Sequence, residues 1–367
     1  MGIRKYVEKY GGWRLMLKCF QKLKESVLCW IYDAGSMEKY FSMKEKYDNE
    51  RDAHKEGIYF RHFGMNAAKY GRLVTNKAWN KEKENEKKIL YEDIIQGKRE
   101  FSDEYAGEIE YCRSKGECML YPYAFTEKYL KTQIDIPVYT HNTDKNQLKY
   151  VMHYGKKLFF PNQDDNAVRH QYTQLIMEQD ELSPHKYFSE GFQFPQRGGI
   201  FVDVGSAEGI ISLEVAECAE EIYLIEKSQS WITALESTFK DYRDKVHIIN
   251  KYAGSITSKD IVKLDDVLLK YKNENIFIKM DIEGMELEAL KGCVGTMSSN
   301  NCTFLCAAYH TNTMEEKLLH FFKQYAYEAK VSDGYTLFIY GKMTLQNGMY
   351  ERMKYPYFRR GLVRAHR

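Results

Sequence analysis

Residues 200–213 read IFVDVGSAEGIISL. Five residues suited to a buried strand lead into a turn with a glycine at either end, and an apolar helical pattern starts directly after it. Glycine serves where the backbone is left-handed or approached closely, since a side chain is excluded there. In an open α/β sheet the first strand-to-helix turn lies beyond the carboxyl ends of the strands, where such sheets bind ligands. Here that turn is flanked by Gly205 and Gly209 and carries the negative charge of Asp203. A phosphate would want bare N–H groups and positive potential. The arrangement points instead to a cationic, phosphate-free cofactor such as the sulfonium and ammonium of S-adenosylmethionine.

From residue 199 onward strand and helix patterns alternate. IFVDV (200–204), IYLIE (222–226), VHIIN (246–250), IFIKMD (276–281) and TFLCAAYH (303–310) read as strands. Helices are expected over about 208–219, 229–242, 260–271, 284–297 and 313–325. Strands this apolar, separated by helices, predict an α/β fold with a parallel sheet covered on both faces. YEAKVSDGYTLFIY (327–340) predicts a closing antiparallel pair that turns at Asp333-Gly334. A nicotinamide dinucleotide calls for Gly-x-Gly-x-x-Gly, and Ala207 stands where the second glycine belongs. Glu226 ends the second strand, 21 positions after Gly205, where a carboxylate can accept two hydrogen bonds from a ribose diol.

The fourth strand runs into FIKMDIEGMELEALKG (277–292), in which Asp281 and Glu283 alternate off the strand end at the same edge as Gly205. Acids at a helix start also complement the helix dipole, so the pair serves either chemistry or the helix. His310 ends the fifth strand at that edge. Methyl transfer to a hydroxyl needs a proton acceptor, and the candidates are His310, Glu283 and Asp281, with His310 favoured by its ordinary pKa near neutrality. Two acids and a histidine can also hold a divalent metal; nothing in the spacing requires one, and none is expected.

The stretches FVDVGSAEG (201–209), IYLIEKS (222–228), NKYAGS (250–255) and KMDIEGMELEALKG (279–292) together resemble the FkbM family of S-adenosylmethionine-dependent methyltransferases, over about residues 183–340. The resemblance implies the Rossmann-like seven-stranded sheet of class I methyltransferases, order 3-2-1-4-5-7-6. It implies that Asp203, Gly205 and Gly209 hold the methionine part of the cofactor, that Glu226 holds the ribose, and that Tyr252 and Ala253 flank the adenine. Ser206 and Lys227, beside these residues, complete the expected cofactor-binding set. Where the family often has Asn in the glycine loop, this chain has Ala207 followed by Glu208. The implied activity is O-methylation of a hydroxyl on a saccharide or glycan precursor. An RNA methyltransferase and a non-catalytic scaffold in a glycan-assembly complex are the rival readings.

Upstream, IPVYT, LKYVMHY and KKLFFP predict a small sheet with a hairpin at Gly155, so residues 1–185 read as an accessory region of helices and a small β segment. Residues 186–345 read as the methyltransferase domain and 346–367 as a basic tail. Residues 77–100 mix both charges in the manner of a solvated helix. The first 31 residues form an amphipathic pattern with seven Lys and Arg against Glu8 and Glu25; such a face packs on its own protein, on a partner, or on an acidic membrane surface. The totals, 54 Lys+Arg and 52 Asp+Glu, give a formal +2, and no nucleic-acid partner is expected from that balance. The eight scattered cysteines form no metal-site spacing, Cys302 and Cys306 reading as packing. Reduced thiols, and the lack of a long apolar run, lead to the expectation of a cytoplasmic protein, with residues 1–31 able to touch the membrane's inner face.

Overall fold

The structure, a computed structural model, describes residues 87–142, 147–337 and 354–367. The amphipathic segment 1–31 lies outside them. Three antiparallel strands come first, Tyr139–Asn142 (β1), Gln147–His153 (β2) and Lys156–Pro161 (β3). Between β2 and β3 the chain reverses at Tyr154 (φ 46°) and Gly155 (φ 80°), the left-handed pair that a two-residue hairpin turn requires.

The larger sheet has seven strands: Ile200–Val204 (β4), Glu221–Ile225 (β5), Val246–Ile249 (β6), Asn275–Met280 (β9), Asn301–Ala307 (β10), Glu328–Val331 (β11) and Leu362–His366 (β12). The short strands Tyr252–Ala253 (β7) and Ile261–Val262 (β8) pair with each other. The order across the large sheet is β11-β12-β10-β9-β4-β5-β6. Counted along the chain and read from the other edge, this is 3-2-1-4-5-7-6, with β12 antiparallel to both β10 and β11.

Alternation along the strands makes the two faces. Val202, Val204, Ile278, Met280, Cys302, Phe304 and Cys306 are buried together with Leu290, Met297 and Phe322 from the helices Glu286–Lys291, Val294–Ser299 and Met314–Gln324. On the other face Phe201, Leu224, Leu305 and Ala307 meet Ile210 and Leu213 of the helix Ile210–Val215, Leu235 of Gln229–Thr238, and Leu158 and Phe160 of the small sheet. Cys302 and Cys306 are fully buried packing residues, as expected.

Three expectations change. The seventh strand is Leu362–His366 and not the segment after Asp333-Gly334. The chain does bend at Gly334 (φ 73°), but Tyr335 and Leu337 leave the sheet and pack with Leu90, Ile94 and Phe358, and Thr336 bridges Arg359. What read as a basic tail is therefore part of the sheet, with buried Arg364 donating to the Tyr187 carbonyl (2.9 Å) and to that of Lys186. Second, the described residues from Leu90 onward fall in one compact unit that runs across residue 185. Third, the charged segment 77–100 is not a wholly solvated face where it is described: Leu90 and Ile94 are buried, and the Tyr357 hydroxyl donates to Asp93 at 2.5 Å. No helix among the described residues is long and apolar enough to cross a membrane.

Candidate active site

The strand ends β4, β5 and β9 bring the sequence-marked residues to one edge. Gly205 (φ 79°) leaves no room for a side chain, since a Cβ there would stand 2.1 Å from the Asp281 carbonyl oxygen. Gly209 (φ 74°) plays a matching part against the helix after β5, where a Cβ would lie 2.8 Å from Leu235. Both glycines thus serve the docking of protein elements. Between them Ser206 donates to the Asp203 carbonyl (2.8 Å), and the Ala207 N–H donates to Glu226 Oε2 (3.1 Å). Glu226 Oε1 takes the Ser228 N–H (2.6 Å). Each oxygen has a second lone pair, so Glu226 fits the hydroxyls of a ribose while tying the loop to β5. Lys227 stands over the Tyr252 ring at 5.7 Å and is held by Asp260 at 2.5 Å, with Ala253 buried next to it. This ring wall fits a planar base.

Asp203 is hydrogen-bonded within the protein. Its side chain shares the sheet face of Phe201, beneath the helix Ile210–Val215, and its register partner on β9 is Lys279. Lys279 Nζ lies 2.8 Å from Oδ1, and Ser212 Oγ donates to Oδ2 at 2.7 Å. Lys279 also reaches the Gly205 carbonyl (3.2 Å). Burial works against the ammonium, but Asp203 and Asp281 raise its pKa above the usual lysine range. Asp203 thus ties the loop to β9 through Lys279. Glu208, the other acid of the loop, is 7% exposed, and burial, with the charges of Asp203 and Asp281, pushes its pKa up to about 7. A cation beside it would favour its ionised form.

At the end of β9, Asp281 accepts from Tyr187 (2.8 Å) and Tyr309 (3.3 Å). His310 Nε2 is 3.2 Å from Asp281 Oδ1 and 3.8 Å from Glu283 Oε2, while Nδ1 is 3.0 Å from Glu286 Oε1. Glu286 is fully buried and accepts the N–H groups of Ile282 and Gly284. It thereby shapes the loop that carries Glu283 at φ 56°. Burial opposes a charge on both Asp281 and His310. It is outweighed, since the charge and hydrogen bond of His310 hold Asp281 well below the usual carboxylate range, and Glu286 and Asp281 raise His310 well above neutrality.

Carboxylates at both ring nitrogens thus favour the charged form of His310, which works against its expected role as proton acceptor. Glu283, with its side chain about half exposed, has its pKa raised by burial and by Asp281 and Glu286. It remains able to take a proton. The sequence reading missed His185, Lys279 and Glu286. A lysine inside the apolar run IFIKM was the available signal for the second, and Glu286 stood in the stretch KMDIEGMELEALKG that carries the resemblance, though neither was assigned a role; His185 lies in SPHKYF (183–188), ahead of the first strand of the large sheet.

The fold and the glycine-loop edge define a class I methyltransferase, the class that takes its methyl group from S-adenosylmethionine. Residues 205–329 match the Methyltransferase FkbM domain. No curated protein matches the chain. Among solved structures, methyltransferase FkbM from Methylobacillus flagellatus KT is similar at 19% identity and TM-score 0.37, over 56% of this chain and 56% of that one. The precorrin-6y C5,15-methyltransferase from Geobacter metallireducens GS-15 is similar at 13% identity and TM-score 0.31, over 47% and 83%. An rRNA methylase from Streptococcus thermophilus is similar at 11% identity and TM-score 0.30, over 47% and 87%. The chain thus spans little more than half the length of the first of these.

Proposed function

We propose that the protein is a cytoplasmic O-methyltransferase that moves the methyl group of S-adenosylmethionine to a hydroxyl of a saccharide or glycan precursor. The observation that carries the acceptor class is the charge at the strand edge. Glu208, Asp281 and Glu283 gather there, and the lysine among them, Lys279, is buried against Asp203. An edge of this sign suits a cationic cofactor and a neutral, hydroxyl-bearing acceptor, and it repels a polyphosphate backbone. That argues against the RNA reading.

When bound, S-adenosylmethionine supplies an electrophilic methyl whose bond to sulfur breaks as the new C–O bond forms, the electron pair staying on sulfur. Glu226 and the Tyr252 wall fix the nucleoside, and Glu208 faces the cationic end. Glu283 accepts the hydroxyl proton, while His310 and Glu286 hold its loop in place. Alignment of this kind supplies ~7–11 kcal/mol of a barrier, and a placed base a further ~10²–10⁴-fold.

Calorimetry with S-adenosylmethionine tests the cofactor, and turnover by Glu283→Gln tests the base. Binding together with a loss of about 10²-fold or more in the variant is expected. Absence of binding at millimolar cofactor would leave the scaffold reading. Acceptor capture that weakens steeply with salt would favour RNA instead.

A further inference from the structure

We propose that Asp281, Glu286 and His310 form a binding site for a divalent, oxygen-preferring cation of the Mg²⁺ or Mn²⁺ kind, with His185 beside it. Each of the three offers a ligand atom within 4.8 Å of the others. The closest pairs are 3.2 Å (Asp281 Oδ1 to His310 Nε2) and 3.0 Å (Glu286 Oε1 to His310 Nδ1). These pairs fall on opposite nitrogens of the ring, so an ion takes one nitrogen, and the carboxylate on the other side closes from within 4.8 Å to the spacing of about 3 Å that neighbouring ligands of an octahedral ion with bonds of ~2.1 Å require. The two carboxylates are ligands of the kind these ions take, the cluster holds no thiolate of the kind thiophilic metals select, and the imidazole favours Mn²⁺ over Mg²⁺.

Two further observations converge on the same point. Glu286 is 0% exposed, and its Oε2 makes no hydrogen bond. His185 is 1% exposed, neither of its ring nitrogens makes a hydrogen bond, and its Nε2 is 3.8 Å from Asp281 Oδ2. His185 Nδ1 in turn stands 3.6 Å from Glu178 Oε2; buried polar atoms without hydrogen bonds are few in native proteins, and here two side chains at one cluster carry them. Lys279, the nearby ammonium, is committed to Asp203. Tyr187 and Tyr309 donate to Asp281 in the way that outer partners orient a metal-binding carboxylate. No other group of this spacing occurs among the described residues.

Asp281 keeps about a fifth of its side chain exposed, so an ion there can also take the acceptor hydroxyl and favour its ionisation, the proton passing to Glu283. That use rests on the methyl-transfer reading; the site itself does not.

The test is titration of the full chain with Mn²⁺ alone, followed by electron paramagnetic resonance. One bound ion is expected, with imidazole nitrogen coupling in the pulsed spectrum of the wild type. Glu286→Gln and His310→Gln should each weaken binding by about 10–100-fold, and Glu217→Gln, outside the cluster, should not. No binding at millimolar Mn²⁺, binding without nitrogen coupling, or equal affinity in folded variants would overturn the proposal. Because no cofactor is added, failure here leaves the calorimetric test of S-adenosylmethionine untouched.

Discussion

Glu208 links pH to stability at the level of a single side chain. Its folded pKa of about 7 lies above the ordinary 4.5, so folding takes up a proton between those values and stability falls as pH rises through the window. The full effect is about 3.5 kcal/mol at 1.4 kcal/mol per pKa unit. His185 works the other way: buried and held neutral, its pKa falls from 6.5 to about 4, and stability rises with pH between those two values. The two oppose each other from about 4.5 to 6.5, and Glu208 alone acts just above. Glu208→Gln should therefore raise the melting temperature at pH 7.5 and leave it nearly unchanged at pH 4.5. Melting curves that stay parallel over that range would refute the assignment. The presence of this acid was legible in the sequence, whereas the division of labour between it and Asp203 was not. Asp203 meets its lysine only through the register of two strands 76 residues apart, and no local pattern reports that pairing.

Elements were legible where their composition was pure. β4, β5, β9 and β10 are nearly unbroken apolar runs, and the structure places them within two residues of the expected starts. β12 escaped because its strand character is masked by charge: Val363 and Ala365 bury one face, Leu362 the other, and Arg364 sits between them. A buried guanidinium is tolerable there because backbone carbonyls of Lys186 and Tyr187 accept its protons. Arg364→Met should then destabilise only modestly, on the order of 1–2 kcal/mol, since an apolar side chain of similar length replaces charge and partners on one side alone. Arg364→Glu should cost several kcal/mol by burying an acid against carbonyls. Denaturant midpoints compare the two, and equal losses would mean that the arginine contributes bulk alone.

Across the whole described unit, the segments before β4 are bound to the loops that follow β9 and β11 through polar side chains far apart in sequence. Tyr123 donates to Glu108 and accepts the Tyr335 N–H at 2.6 Å, and Tyr335 in turn donates to Glu104 at 2.8 Å. His185, on the loop that enters β4, stands against the Asp281 cluster. A cofactor at the strand edge should thus stabilise the unit as one body: at a hundredfold excess over the dissociation constant the gain is about 2.7 kcal/mol. S-adenosylmethionine is expected to shift a single melting transition upward, and Glu226→Gln to abolish most of the shift. Two transitions, only one of them moving, would show that the upstream segments fold separately.

The position of β12 has a consequence for biosynthesis. It lies between β10 and β11, yet it is the last described strand to leave the ribosome. Until it arrives, the edge of β10 stands open with Phe304 and Cys306 behind it, and unpaired edges of this sort invite association with other chains. A nascent molecule halted before residue 362 would carry a complete glycine loop on a sheet that cannot close, so chaperone dependence should persist until β12 has emerged.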